Sequence, residues 1–343
     1  MTTKASAIRT LCWAAFACLS LSSARAQDNF YAGKVIRIIV SGGGTYEGYA
    51  RLFARHMPAH LPGKPAIIVQ QMPGAGGARA ASYLYNVASR DGIVIGAVHG
   101  SVLTAPLLTP GVDFDVTKFN WIGNATSDVF IGFVTAASRV QSLDQLKTDE
   151  MVVGGAGVGS TGIDMALIGR SLFGLKLKII SGYKTSDETK LAMERGEVQG
   201  TFGTTLGSLK ATDMLQRRAA TIIVQHGVTP HREMPNVPLI YDLAKTDVER
   251  QILDVMRLRG EFAKPYLTPP NVPPDRLALL RAAFMATTAD PGFLADVERQ
   301  HLEFDTPMSG PEMTAQIEQI SKTPRPVIDR LVEILGSFND GKM

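Results

Sequence analysis

The chain has 343 residues, with 35 Lys and Arg against 32 Asp and Glu, a formal charge of +3. Lys4, Arg9 and Arg25 fall in the first 26 residues, which hold no acid, so the rest of the chain carries 32 of each sign. That balance excludes the clustered positive excess that nucleic acid or an anionic membrane surface requires. Both cysteines, Cys12 and Cys18, lie in the same short stretch. The remainder can therefore hold no disulfide scaffold, thiol nucleophile or thiolate metal site. At 45% hydrophobic and 20% charged, the composition is that of a folded globular protein.

Residues 1–26 have the three parts of a secretory signal. A basic start holds Lys4 and Arg9, an apolar run spans Leu11–Leu21, and Ala24-Arg25-Ala26 is a small-x-small cleavage pattern. The apolar run falls well short of the roughly 20 residues of a membrane span. Export to the periplasm with cleavage near Ala26 is the expectation. Such a compartment supplies no nucleotide cofactor, and none is expected.

After the leader, short β-branched runs alternate with helical patterns. Val35–Val40, Ala66–Val69, Ile93–Gly96, Met151–Gly154, Leu177–Ser181, Val198–Phe202 and Thr221–Val224 read as buried parallel strands. Helical periodicity covers Tyr46–Met57, Ala78–Ala88, Ile163–Phe173, Thr185–Arg195 and Glu249–Leu258. Beyond the breaks at Pro269-Pro270 and Pro273-Pro274 the pattern becomes helical, at Asp275–Thr288, Pro291–Gln300, Gly310–Ser321 and Pro326–Leu335. The class is α/β, each layer a mostly parallel sheet flanked by helices.

One motif occurs twice: strand, glycine-rich turn, helix. The first copy carries Ser41-Gly42-Gly43-Gly44-Thr45-Tyr46-Glu47, and the second carries Gly157-Val158-Gly159-Ser160-Thr161-Gly162. In open α/β sheets ligands bind beyond the carboxyl ends of the strands, where both turns lie. Glycines let the backbone approach a ligand, and a helix N-terminus presents unpaired N–H groups to an anion. The hydroxyls of Ser160 and Thr161 would add donors. Glu47 complicates an anion site; it either serves its helix dipole or meets a cationic part of a ligand.

The second turn is a literal G-x-G-x-x-G, yet it lacks the acid that would hold a ribose at the end of the next strand. A small-anion site built from the same N–H groups is the better reading. No G-x-S-x-G elbow, phosphate-loop lysine or H-E-x-x-H pair occurs, and Pro58 separates His56 from His60. Neither a catalytic nor a metal site is therefore expected. At the same carboxyl edge stand His99-Gly100-Ser101, Tyr183-Lys184 and Thr204, as further candidates to touch a ligand.

Taken together, these segments resemble the exported solute receptors of tripartite tricarboxylate transporters, the Bug-type binding proteins. The resemblance rests on Pro73-Gly74-Ala75-Gly76-Gly77 followed by Arg90-Asp91-Gly92, and on Tyr183-Lys184 leading to Gly196-Glu197-Val198. It continues through Met234-Pro235-Asn236-Val237-Pro238, Pro269-Pro270-Asn271-Val272-Pro273 and Ala289-Asp290-Pro291. It implies a two-lobed, type II-like periplasmic binding protein that closes on a small carboxylate. That carboxylate would be held largely by backbone N–H groups of two facing loops. It also implies membrane permease subunits as partners. A monomer without enzymatic activity is expected, and a sensing role or a secreted nucleotide enzyme are the alternatives.

Several positions depart from the family pattern. The first loop is shorter and carries a triple glycine, Glu47 stands where Asp is general, Gln199 replaces a common acid and Thr185 replaces a usual glycine. The expected division is residues 27–128 plus 262–343 as the first lobe and 129–261 as the second. Crossings are expected near Phe130–Val134 and Glu261–Lys264.

Overall fold

The computed structural model describes residues 30–338 except Pro110, Lys184, Thr185, Ala211 and His301. The expected signal peptide therefore lies outside the described residues. In chain order the strands are β1 (Val35–Val40), β2 (Ala66–Gln71), β3 (Val94–Ala97), β4 (Asn120–Asn124), β5 (Phe130–Thr135) and β6 (Met151–Gly154). They continue with β7 (Leu177–Ile180), β8 (Gly200–Thr205), β9 (Ala220–Gln225), β10 (Pro265–Thr268) and β11 (Met308–Ser309). The helices begin with α1 (Thr45–His56), α2 (Ala78–Asn86), α3 (Ala105–Leu108), α4 (Thr161–Phe173), α5 (Ser186–Glu194) and α6 (Leu206–Lys210). They end with α7 (Asp247–Glu261), α8 (Pro274–Thr288), α9 (Pro291–Arg299), α10 (Gly310–Ser321) and α11 (Arg325–Gly336).

Two sheets organise these elements. The first has the order β11-β4-β10-β3-β1-β2 and the second β7-β6-β8-β5-β9. β1 pairs in parallel with β2 and β3, and β6 with β7 and β8. The interior strands β3 and β6 are apolar and almost fully buried along their length, as strands covered on both faces are. Ile36, Ile38 and Val40 of β1 enter one core with Phe53 of α1 and Phe284 of α8, while Ile39 enters the opposite core with Leu84 of α2. The expected two-lobed α/β architecture is the one observed, and no described helix is long and apolar enough to cross a membrane.

Three details differ from expectation. Thr221–Val224, read as parallel, belongs to β9, which runs antiparallel to β5. Phe130–Val134, read as a crossing, is the interior strand β5, paired with both β8 and β9. An apolar run looks alike in a crossing and in a buried strand, and only its partners tell the two apart. The chain instead crosses at residues 125–129 and returns at residues 262–264. Finally, α11 was grouped with the first lobe, yet Val327, Ile328, Leu331, Ile334 and Leu335 pack into the second-sheet core with Ile163, Leu167 and Ile252. The apolar stripe of α11 finds its matching surface on α4 and α7, and not on the lobe that precedes it in sequence.

The two crossing segments are stapled to each other. Ala125 N–H donates to the Lys264 carbonyl at 3.0 Å, and Asp128 N–H to the Gly260 carbonyl at 3.0 Å. The fully buried Asn124 side chain donates to the carbonyls of Thr126 (2.8 Å) and Glu261 (2.9 Å) and accepts from Lys264 N–H at 2.9 Å. Helix α7 runs between the lobes. A capping box of Thr246 with Glu249 starts it, Ile252 and Val255 lie in the second-sheet core, and Leu258 reaches the first.

Candidate functional site

The first glycine turn leaves β1 and starts α1. Ser41 is almost fully buried: its N–H donates to Ala97 and its hydroxyl accepts from the backbone N–H of His99 at 2.9 Å. Its polar groups thus clasp the ends of β1 and β3 together. Gly42 packs against the His99 ring, where a Cβ would come within 3.3 Å of Nε2. Gly43 and Gly44 face open space, and Gly44 adopts φ +62°, ψ −131°, a conformation that only glycine takes without strain. No side chain caps α1, so the N–H groups of Thr45, Tyr46 and Glu47 have no helical acceptor. Glu47 turns toward Arg51 (2.8 Å) and Gln71, and so answers a neighbouring cation.

Tyr46 brings together what the sequence left apart. Its ring stacks on His99 with centroids 3.9 Å apart, and the Lys264 ammonium lies 4.0 Å from the ring centroid. Lys264 stands on the return crossing with its backbone tied to Asn124 and Ala125. Desolvation pulls its pKa down to about 8, opposed by the charge of Asp128. Burial likewise raises the Asp128 carboxyl, whose counterweights are a hydrogen bond from Thr205 and the Lys264 charge. Burial, and then the Lys264 charge, lower His99 to about 4, so its imidazole is neutral at neutral pH. Lys264, Asp128 and Thr205 were not among the residues singled out from the sequence. The signal available was a charged residue inside an expected crossing.

The second turn spends more of its donors on itself. The Ser160 hydroxyl donates to the Gly157 carbonyl at 2.6 Å, and Gly159 N–H donates to Asp164 Oδ1 at 2.8 Å. Asp164 is completely buried; its Oδ2 takes Arg259 of α7 at 2.6 Å, and Arg259 Nε donates to Thr104 Oγ1 at 2.9 Å. This strut joins the second turn to the segment after β3, one element in each lobe. Thr161 and Gly162, in the first turn of α4, keep N–H groups without helical acceptors.

The other candidates divide. Gly100 is required for packing, since a Cβ there would lie 2.3 Å from the Arg259 carbonyl oxygen. The Ser101 hydroxyl donates to Gly76 at 2.8 Å and ties in the Pro73–Gly77 turn. Tyr183 meets Glu197 at 3.3 Å, and half-buried Thr204 pairs with Ile131 in the sheet. Lys184 lies outside the described residues. The structure thus gathers Tyr46 and His99 beside Lys264, with Gly42 against the His99 ring, while Ser41, Gly100 and Ser101 hold the frame.

Two buried imidazoles set an acid limit. Burial lowers His226 to about 3, as it lowers His99 to about 4. Both folded values lie below the unfolded value of about 6.5, so the stability they contribute is complete above that pH. It is lost as pH falls toward 4 and then 3. The melting temperature is expected to fall steeply across this window, and His226→Phe to flatten part of the fall. Parallel pH curves for wild type and variant would refute the assignment to His226.

No family model matches the chain, and no curated protein matches it in sequence. Solved structures do. A TctC solute binding protein from Polaromonas aligns with a TM-score of 0.65 at 18% identity, over 88% of this chain and 99% of its own. MatC from Rhodopseudomonas palustris, solved with bound malate, gives 0.62 at 17%, over 88% and 99%. A further R. palustris protein, solved with adipate, gives 0.63 at 16%, over 89% and 98%. The fold is that of the two-lobed solute-binding proteins. Tyr46, His99 and Lys264 meet where the turn after β1 approaches the return crossing.

Proposed function

We propose that the chain is an exported receptor that captures a small carboxylate between its lobes for uptake by a tripartite tricarboxylate-type carrier. The observation that carries this reading is Lys264, an ammonium in a desolvated position beside the uncapped N-terminus of α1. Among the described residues no hydrogen-bond acceptor is seen on its Nζ. An enclosed cation beside free backbone donors suits a carboxylate. The malate and adipate of two proteins with the same fold belong to that ligand class. Contacts to both lobes favour the closed state once the ligand is in place, which is how a receptor of this shape traps solute. A nucleotide at the second turn is disfavoured, because Asp164 already fills the place of an anion at Gly159.

The test is a panel of di-, tri- and aromatic carboxylates and acidic amino acids, read by melting temperature and calorimetry. Trp121, 1% exposed and bonded to the Val116 carbonyl, lies in the first-lobe core and makes a poor fluorescent reporter. At least one compound is expected to bind, and a flat response across the panel would count against the receptor. Gly43→Val serves as a site probe, since a Cβ at Gly43 meets nothing within 4 Å and the fold should tolerate it. Affinity is expected to fall by about tenfold through blocked backbone approach. Unchanged affinity removes the first turn from the site.

A further inference from the structure

Each sheet ends in two edge strands, and among the described residues all but one of these edges are blunted. β11 is only two residues long. β7 is four residues long and turns the charged Lys178 to solvent. β9 pairs with β5 in an irregular register, and its last residue, Gln225, is covered by the following loop. Gln225 N–H donates to the Pro238 carbonyl at 2.9 Å, and its side chain to the carbonyls of Met234 (3.0 Å) and Val237 (2.7 Å). Such devices keep an open strand edge from pairing with another chain. β2 has none of them. Its six residues, Ala66-Ile67-Ile68-Val69-Gln70-Gln71, carry no charge and no proline, and run in unbroken register along β1. Ile68 is 49% exposed, and Val35, beside Ala66 on the same sheet face, is 47% exposed.

The direction of the backbone groups decides what this edge fits. Met72 N–H donates to the Val40 carbonyl at 2.8 Å. By strand alternation Ala66, Ile68 and Gln70 therefore aim their N–H and C=O at β1, while Ile67, Val69 and Gln71 aim theirs away from the sheet. A second copy running antiparallel matches outward groups to outward groups when the twofold axis passes through Ile68. Ile67 then exchanges both backbone bonds with Val69 of the second copy, and the two Ile68 side chains meet at the closer, non-hydrogen-bonded site. An axis through Val69 would also match the backbone, but it sets Ile68 against Gln70 and leaves the exposed isoleucine facing an amide. The Ile68 register also brings Lys64, exposed just before β2, to the far end of the neighbouring strand. There Glu47 accepts from the Gln71 side chain and, at 2.8 Å, from Arg51. The twofold repeats this meeting of opposite charges at both ends of the pair.

We propose that β2 is the interface of a symmetric homodimer, in which two six-stranded sheets join edge to edge about a twofold axis at Ile68. The partner is a second copy of this chain, in place of the monomer expected from the sequence, and the inference does not depend on which solute the lobes hold. Sedimentation velocity of the purified chain under reducing conditions tests it. A dimer with a Kd of about 100 µM or tighter is expected. Ile68→Lys sets two like charges opposite each other and should weaken the dimer at least about tenfold. Its melting temperature, taken at high dilution, should stay within about 2 °C of wild type, because the side chain is half exposed. Cross-linking reads the register, in a background carrying Cys12→Ser and Cys18→Ser. Ile68→Cys should give a disulfide-linked dimer on mild oxidation, since Cα atoms facing at a non-hydrogen-bonded site lie about 4.5 Å apart. Gln70→Cys should not, because its two copies would lie roughly 14 Å apart along the strands. A chain that stays monomeric at about 200 µM overturns the proposal and leaves the edge to a strand of another protein. So does a dimer that Ile68→Lys leaves intact, or cross-linking through Gln70→Cys alone.

Discussion

Lys264→Met is expected to weaken carboxylate binding by about 10- to 100-fold, the size of one charge-assisted contact. The side chain is poised for that effect, since its Nζ lies 4.0 Å from the Tyr46 ring centroid at the return crossing. The pH dependence sharpens the test. Burial holds the free-state pKa at about 8, below the usual lysine value of 10.5, and a bound carboxylate would raise it again. Affinity should therefore be constant below pH 8 and decline as pH rises through it, because binding must then recapture a proton. Lys264→Arg should keep the charge and lose the decline, and Lys264→Met should lose both. An affinity in Lys264→Met equal to wild type, with the same pH profile, would place the ligand's charge elsewhere.

Arg259→Leu is expected to cost about 3–5 kcal/mol, because it leaves the Asp164 carboxylate buried without its partner. For a chain of this size that corresponds to a melting temperature lower by about 5–8 °C. The pair is buried on both sides, with side chains 4% and 0% exposed, and its reach is long. Asp164 fixes the Gly159 N–H of the second turn, and Arg259 fixes Thr104 beyond β3. Replacing both residues by leucine should restore part of the loss, since two apolar side chains leave no orphaned charge. A melting temperature within about 2 °C of wild type in the single variant would mean that water reaches Asp164 and solvates it.

How far the sequence carries can be judged residue by residue. β1 and α10 fall where periodicity and breakers place them, because a buried strand or an amphipathic helix writes its burial into local composition. The glycine turns were legible for the same reason, Gly44 needing its positive φ whatever surrounds it. β4 was not read at all, since Asn120 and Asn124 bracket it and its partners are β10 and β11, more than 140 residues away. Lys264 and Asp128 look like ordinary charges in a list of residues. Only the return of the chain beside its own outward crossing desolvates them.

The sequence by itself determined an α/β chain of two similar units, with backbone turns at two strand ends and no thiol beyond residue 26. These are local properties, set by side-chain shape, φ/ψ preference and composition. The tertiary structure decided which donors stay free and which charges are buried. It spent Ser41 on His99 and Gly159 on Asp164, packed α11 on the second lobe, and drew Lys264 to Tyr46. Hydrogen-bond satisfaction and desolvation depend on what lies across the space, not on what lies next along the chain, and a formally balanced chain can therefore still hold a desolvated lysine beside a helix N-terminus.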